Sequence, residues 1–176
     1  ELFGKFRIER RIGAGAMGIV YLATDLDLER HLALKTLPET SPEDSVRLRR
    51  EARAMASVRH ANLALIFGVE SWHGTPILLM EYLAGGTLAE RISKGALPID
   101  DALELGTELS AVLARLHDSG LLHRDVKPSN VGFTEDGVPK LLDFGLARIS
   151  GEASGPPAAT AAGSLHPPGV QSGFLG

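Results

Sequence analysis

The sequence predicts an α+β fold, in which a small antiparallel sheet with one helix is followed by a mostly helical segment. Three observations predict it. Residues 6–37 carry three alternating apolar runs separated by turn signals, residues 97–120 carry a long helical period, and short strand-like runs follow that helix. With 176 residues the chain suits one domain, or two small lobes sharing a cleft, and can bury about 70% of its unfolded surface.

The first three strands are expected at residues 6–12, 19–25 and 31–37. Ser41-Pro42-Glu43-Asp44 then opens a helix: Ser41 can cap it, Pro42 suits the first helical position, and Asp44 completes a capping-box spacing. That helix is expected to run from 41 to 58. Residues 63–70 and 76–83 form a strand pair around Trp72-His73-Gly74. Between 97 and 120, Ile99, Ala102, Leu103, Leu109, Val112, Leu113 and Leu116 recur at helical spacing. Asp100 and Asp101 favour the first turn there, and Gly120 suits the C-terminal cap. Short strands at 121–122, 131–134 and 139–142 complete the pattern, with Asp136-Gly137 as a hairpin turn. From Gly151 to Gly176 about two-thirds of the residues are Gly, Ala, Pro or Ser, too little apolar surface to offset ordering entropy, which predicts a flexible tail.

Composition excludes several classes of function. The net charge of −4 supplies no basic field for nucleic acid or anionic lipid, so no nucleic-acid partner is expected. With no cysteine, disulfides, thiolate zinc sites and cysteine nucleophiles are ruled out, in keeping with a reducing, cytoplasmic compartment. No apolar stretch is long enough to span a bilayer and no signal peptide opens the sequence. A first residue of Glu1 rather than Met is what a piece of a longer product would show.

Five elements carry chemistry. The first is Gly13-Ala14-Gly15-Ala16-Met17-Gly18-Ile19-Val20, between the first two strands. Glycines there permit a tight turn and let backbone N–H groups approach phosphate oxygens. A plain glycine-rich hairpin competes with that reading, while a strand rather than a helix after the run argues against a dinucleotide-binding fingerprint. The second is Ala33-Leu34-Lys35 on the third strand, where a lone lysine is ordinarily solvated. The third is Glu51, which shares a helix face with Leu48, Ala52 and Met55. A carboxylate on that apolar side is costly unless paired. Arg47, one turn earlier, offers a surface pair, and Lys35 offers one that would hold its ammonium beside a phosphate-cradling loop.

The fourth element is the most specific: His123-Arg124-Asp125-Val126-Lys127-Pro128-Ser129-Asn130. Asp125 can orient or deprotonate an attacking hydroxyl, Lys127 can neutralise a transferred phosphoryl group, and Asn130 can give a neutral oxygen to a hard cation. The fifth is Asp143-Phe144-Gly145, after an apolar strand, whose carboxylate suits Mg²⁺; alone, such an Asp is more often a turn former. Lys35 lies seventeen residues after Gly18, and Asn130 and Asp143 lie thirteen apart.

In this order and these contexts the five elements resemble the protein-kinase signature set. Over about residues 4–149 the chain is similar to the eukaryotic-like serine/threonine protein kinases of bacteria. The resemblance implies a kinase N-lobe in residues 1–83, a partial, mostly helical C-lobe in 84–149, and an activation-segment-like tail in 150–176. It implies ATP and Mg²⁺ as cofactors and a protein Ser or Thr hydroxyl as acceptor. Gly13, Gly15 and Gly18 would cover the phosphates, with Ile12 also at the nucleotide, and Val20 and Ala33 would sandwich the adenine. Lys35 would contact the α- and β-phosphates, held by Glu51. Met80 resembles the gatekeeper, and Glu81, Tyr82 and Leu83 the hinge that reads the base edge through backbone groups. Asp125 resembles the catalytic base, Lys127 marks the serine/threonine type, and Asn130 and Asp143 resemble the metal ligands. Thr160 and Ser164 fall where a phosphosite and a substrate-facing hydroxyl are expected.

Departures from the family pattern carry their own expectations. The stretch from Lys35 to Glu51 is short. Gly132 replaces a leucine that commonly floors the adenine pocket, which implies looser nucleotide packing. Pro167-Pro168-Gly169 stands where Ala/Pro-Pro-Glu is expected, so the anchoring glutamate and the later helices of the C-lobe are missing from this sequence. One apolar side of the 97–120 helix would then face water. At about 25 cal/mol per Å², a few hundred Å² amounts to several kcal/mol, comparable with a domain's whole stability. The expectation is a marginal, aggregation-prone chain, or one completed by another polypeptide or by a further C-terminal region. An inactive, pseudokinase-like nucleotide-binding or interaction module is the alternative function, and the cytoplasmic part of a longer membrane protein the alternative location.

Overall fold

A computed structural model describes residues 2–15, 18–37 and 42–142, without the side chains at 42, 44, 45 and 48. The Asp143-Phe144-Gly145 element, the cap at Ser41, and the tail with Thr160 and Ser164 lie outside the described residues.

Alternating apolar residues build a six-stranded antiparallel sheet in the order β1-β2-β3-β4-β6-β5. Its strands are β1 (Leu2–Phe3), β2 (Phe6–Gly15), β3 (Gly18–Asp25), β4 (Arg30–Thr36), β5 (Ile66–Trp72) and β6 (Thr75–Glu81). Because side chains alternate faces along a strand, the sheet sorts its residues into two cores. Phe3, Phe6, Leu32, Leu34, Ile77 and Leu79 form one. Ala33, Leu78 and Met80 join the other, with Ala52 and Met55 of α1 (Pro42–Ser57) and with Val58 just after it. Register puts Ala33 opposite Met80 and Lys35 opposite Leu78, so Lys35 follows Ala33 onto the inner face. The β5–β6 hairpin turns through His73 and Gly74, both with positive φ (49° and 85°), the pair of left-handed residues that a tight two-residue hairpin requires.

Past β6 the chain forms α2 (Leu88–Ser93), α3 (Ile99–Asp118), a 3₁₀ turn (Pro128–Asn130) and the hairpin β7 (Val131–Phe133)–β8 (Pro139–Leu141). Val112 and Leu116 of α3 are fully buried in the core shared with Leu63, Val131 and Leu141. Gly120 (φ 72°) closes α3, its N–H bonding His117 O at 2.9 Å. Residues 121–122, expected as a strand, are irregular because the Leu121 N–H is used to close the helix on Leu116 O at 2.9 Å. Three elements were not expected: β1, the 3₁₀ turn and α2. Helix α2 carries a complete capping box, with Thr87 Oγ1 accepting from Glu90 N–H and Glu90 Oε2 accepting from Thr87 N–H. Among the described residues no helix is long and apolar enough to cross a membrane.

Candidate active site

Between the sheet's inner face and the β7–β8 hairpin lies a cavity of about 350 Å³. Of the residues expected at a nucleotide, Ile12, Gly13, Val20, Ala33, Lys35, Met80, Glu81 and Leu83 line it, and Asn130 closes its far side. Gly15 and Gly18 do not. One cross-strand row explains the roof, since Gly13 pairs with Val20 and Val20 with Lys35. Of the three glycines, only Gly18 is required by its surroundings. Gly18 has φ 111°, and a Cβ there would collide with the Thr36 carbonyl, so no other residue fits. A Cβ on Gly15 would meet open space.

Lys35 is 4% exposed; the bland expectation of a solvated lysine does not hold. The Glu51 carboxylate accepts from Arg47 Nε at 3.3 Å. This is the local i,i+4 pair that the sequence offered as the alternative. No ion pair joins Glu51 to Lys35 among the described residues, and Lys35 has an interaction of its own. The reason is geometric: Glu51 is on the partly exposed flank of α1 (34% exposed), beside the neighbour one turn earlier rather than over the sheet.

The catalytic-loop candidates do converge. Lys127 Nζ donates to Asp125 Oδ2 at 2.7 Å, and Asn130 Nδ2 donates to the same oxygen at 2.9 Å and to Asp125 O at 2.8 Å. Lys127 first, and Asn130 after it, hold the Asp125 carboxyl below its ordinary value of 3.8, against the opposing effect of burial. Asp125 is therefore ionised at neutral pH. With its amide nitrogen committed to Asp125, Asn130 is left with its side-chain carbonyl oxygen to offer, a donor type that hard cations accept. His123, 2% exposed, fixes the loop from below: Nε2 donates to Leu142 O at 2.7 Å, and Nδ1 accepts from Asp125 N–H at 3.4 Å. Arg124 has φ 65°, a left-handed conformation uncommon for a residue with a side chain. Among the described residues no group of three or more His, Cys, Asp or Glu is placed to hold a metal ion; the carboxylate expected to join Asn130, Asp143, is outside them.

Several site residues escaped the sequence reading. Leu142 lines the cavity beside Leu83 but reads as an ordinary strand residue. The Glu81 side chain, expected to matter only through its backbone, accepts from Lys140 Nζ with both oxygens (2.7 and 2.9 Å) and from Leu65 N–H at 3.0 Å. The turn after the hinge is pinned to β7 by Gly85 N–H to Phe133 O (2.8 Å) and Phe133 N–H to Gly86 O (2.9 Å). A Cβ on Gly85 would collide with the Thr134 carbonyl. The Gly85-Gly86 pair was the one sequence signal available for that close approach.

Residues 6–166 match the protein kinase domain family. PrkC, a serine/threonine-protein kinase of Bacillus subtilis, is 34% identical over 94% of this chain, and a probable serine/threonine-protein kinase, PknB of Lactococcus lactis, is 36% identical over 92%. The alignments span 26% and 27% of those relatives' lengths. The kinase domain of PknI from Mycobacterium tuberculosis superposes with a TM-score of 0.73 at 30% identity, over 84% of this chain and 62% of that one. With the sheet, the cavity and the Asp125 cluster arranged as they are, the chain belongs to the protein kinase family and resembles its bacterial serine/threonine members throughout the matched region.

Proposed function

We propose that the protein transfers the γ-phosphoryl group of Mg-ATP to serine or threonine hydroxyls of a protein substrate. The observation that carries this reading is that Lys35 of β4 and Asn130 line one cavity of about 350 Å³, and that Asn130 and Lys127 meet on one oxygen of Asp125. The hinge backbone at 81–83 would hold the base edge. Since Glu81 N–H is committed to Leu65 O at 2.9 Å, that residue has its carbonyl to offer. The buried Lys35 ammonium would meet the α- and β-phosphates. Ionised Asp125 would orient the acceptor hydroxyl and accept its proton, while Lys127 would balance charge on the group in transfer. Asn130 fits as a cation ligand, with Asp143 as its expected companion; Mg²⁺ when bound supplies charge neutralisation for the phosphates.

A second reading, a nucleotide-binding module that does not catalyse, is favoured by the Glu51–Arg47 pair, which engages the Glu51 carboxylate with its own helix. Transfer of labelled phosphate from Mg-ATP to a Ser/Thr-containing test protein separates the two readings. The kinase reading expects Lys35→Met and Asp125→Ala to lower transfer by about 10²-fold or more. Equal background from wild type and both variants would refute it. ATP-induced thermal stabilisation without transfer would favour the binding module.

A further inference from the structure

Gly132 sits on β7 beneath the base end of the cavity and is buried. Its φ is not among the positive values, so its backbone does not demand glycine; the space around it does. A Cβ at 132 would lie 2.6 Å from Leu83 Cδ1, 3.0 Å from Leu142 Cδ1 and 3.3 Å from Leu83 Cβ. The room that a side chain at 132 would fill is therefore occupied by the hinge leucine and by the residue that follows β8. Packing here is tighter than the sequence implied, and the expected looseness is not seen.

We propose that Gly132 and Leu83 are a matched pair in which the hinge side chain takes the volume left at 132 and forms the floor against which the cleft holds a nucleobase. Leu83 crosses over the glycine and, with Leu142, forms the apolar floor opposite Val20 and Ala33, which line the same cavity. The hinge residue thus serves a base twice, through its backbone at the edge and its side chain at the face. The frame cannot yield to make room for a second side chain. β7 is held by Phe133 N–H to Gly86 O at 2.9 Å and by the Thr87–Gly132 bridge. The hinge is held by Glu81 N–H to Leu65 O. Leu83 Cδ1 is the free end of a flexible side chain and is what moves when 132 gains bulk. It then leaves the floor or enters the slot, and either displacement weakens a stacked base. The proposal rests on the nucleotide reading above.

The test uses the 176-residue chain with Gly132→Leu, Gly132→Ala, Leu83→Ala and the double variant Leu83→Ala/Gly132→Leu. Each is titrated with a ribose-labelled fluorescent ADP and, in competition, with tripolyphosphate, which has no base. Gly132→Leu and Leu83→Ala should each weaken ADP about tenfold. The double variant should return to within about threefold of wild type, because the new leucine then occupies the vacated volume. Tripolyphosphate affinity should be unchanged throughout. Should Gly132→Leu fail to fold, the pair still predicts that the double variant folds and binds, and that Gly132→Ala weakens ADP alone. Additive losses in the double variant, or equal losses for ADP and tripolyphosphate, overturn the matched pair while leaving the nucleotide reading standing. A wild-type chain that binds tripolyphosphate but shows no preference for ADP overturns both.

Discussion

Lys140→Met should destabilise the protein by about 1–2 kcal/mol, and Glu81→Ala by more. Lys140 gives two short hydrogen bonds to Glu81, at 2.7 and 2.9 Å, with side chains only 15% and 21% exposed. Hydrogen bonds to charged groups contribute about 1.5–3 kcal/mol each when dry, and residual solvent lowers that. Removing Lys140 leaves Glu81 with its Leu65 N–H bond and some access to water. Removing the Glu81 carboxylate strands the Lys140 ammonium and the Leu65 N–H together, about 2–3 kcal/mol. For a chain of this size Lys140→Met then lowers Tm by roughly 3–6 °C. Urea melts followed by the fluorescence of Trp72, the sole tryptophan, which packs against Phe3 with ring centroids 5.4 Å apart, measure the effect directly. The double variant should fall short of the summed singles by about 1 kcal/mol or more, since each deletion removes the same contact. Additivity within about 0.5 kcal/mol, or a milder loss from Glu81→Ala than from Lys140→Met, would refute the reasoning.

Gly85→Ala should cost about 2–3 kcal/mol in the same melts, because its Cβ has Thr134 O in its path and Phe133 Cβ and O at 2.9 Å, and backbone cannot step aside cheaply; a neutral result would mean that the hinge turn is not docked on β7. Asp125→Asn should lower stability near pH 6, and the difference should shrink as pH falls below about 3.8: a carboxyl whose folded pKa is depressed stabilises above its unfolded value and loses that contribution as pH drops through the folded one. A gap that stays constant from pH 6 to pH 3 would refute it. Ile99 and Leu103, one turn apart on α3, are 78% and 65% exposed, so Ile99→Glu with Leu103→Lys should reduce self-association in light scattering while changing stability by no more than about 0.5 kcal/mol; unchanged scattering would remove this face as its cause.

The legible parts of this protein were those in which one residue type has one physical use. Two-residue periodicity located the larger strands, and the turns at Gly74, Gly120 and Gly137 take the positive φ values their glycines suggested. The Asp125–Lys127–Asn130 cluster was legible because its three chemistries lie within six residues. Lys35 was legible only through its spacing from Gly18, since a single strand does not reveal which face is buried. The Glu51 partner was not recoverable: Arg47 and Lys35 are both within reach of a helix face, and the choice depends on where α1 sits against the sheet. Helix α2 was missed although Thr87-x-x-Glu90 announces it, because six residues are too few to show a period. Leu142 and the Lys140–Glu81 pair, 59 positions apart in sequence, are products of tertiary packing and leave no local trace.

The division between legible and hidden parts follows from how the site is held. Strand β8 is fixed largely through main-chain groups: Leu141 N–H to Asn62 O at 2.8 Å, Ala64 N–H to Leu141 O at 3.1 Å, and Leu142 N–H to Asn130 O at 2.7 Å. Such bonds exist for almost any side chain, so they impose no pattern on the sequence. Side chains add Asn62 Nδ2 to Pro139 O at 2.9 Å and Lys140 Nζ to Glu81, and His123 Nε2 to Leu142 O at 2.7 Å where the catalytic loop begins. The same ring accepts from Asp125 N–H, so this buried imidazole joins the end of β8 to the catalytic loop, beside the Leu142 N–H to Asn130 O bond. Pro128 then starts the 3₁₀ turn, where its missing N–H costs nothing, and Asn130 N–H closes that turn on Lys127 O at 2.9 Å. That closure brings Lys127 and Asn130 onto one Asp125 oxygen. The loop reads as a motif because each of its polar side chains substitutes for a frame the backbone cannot supply there, and β8 reads as an ordinary strand because its backbone supplies one.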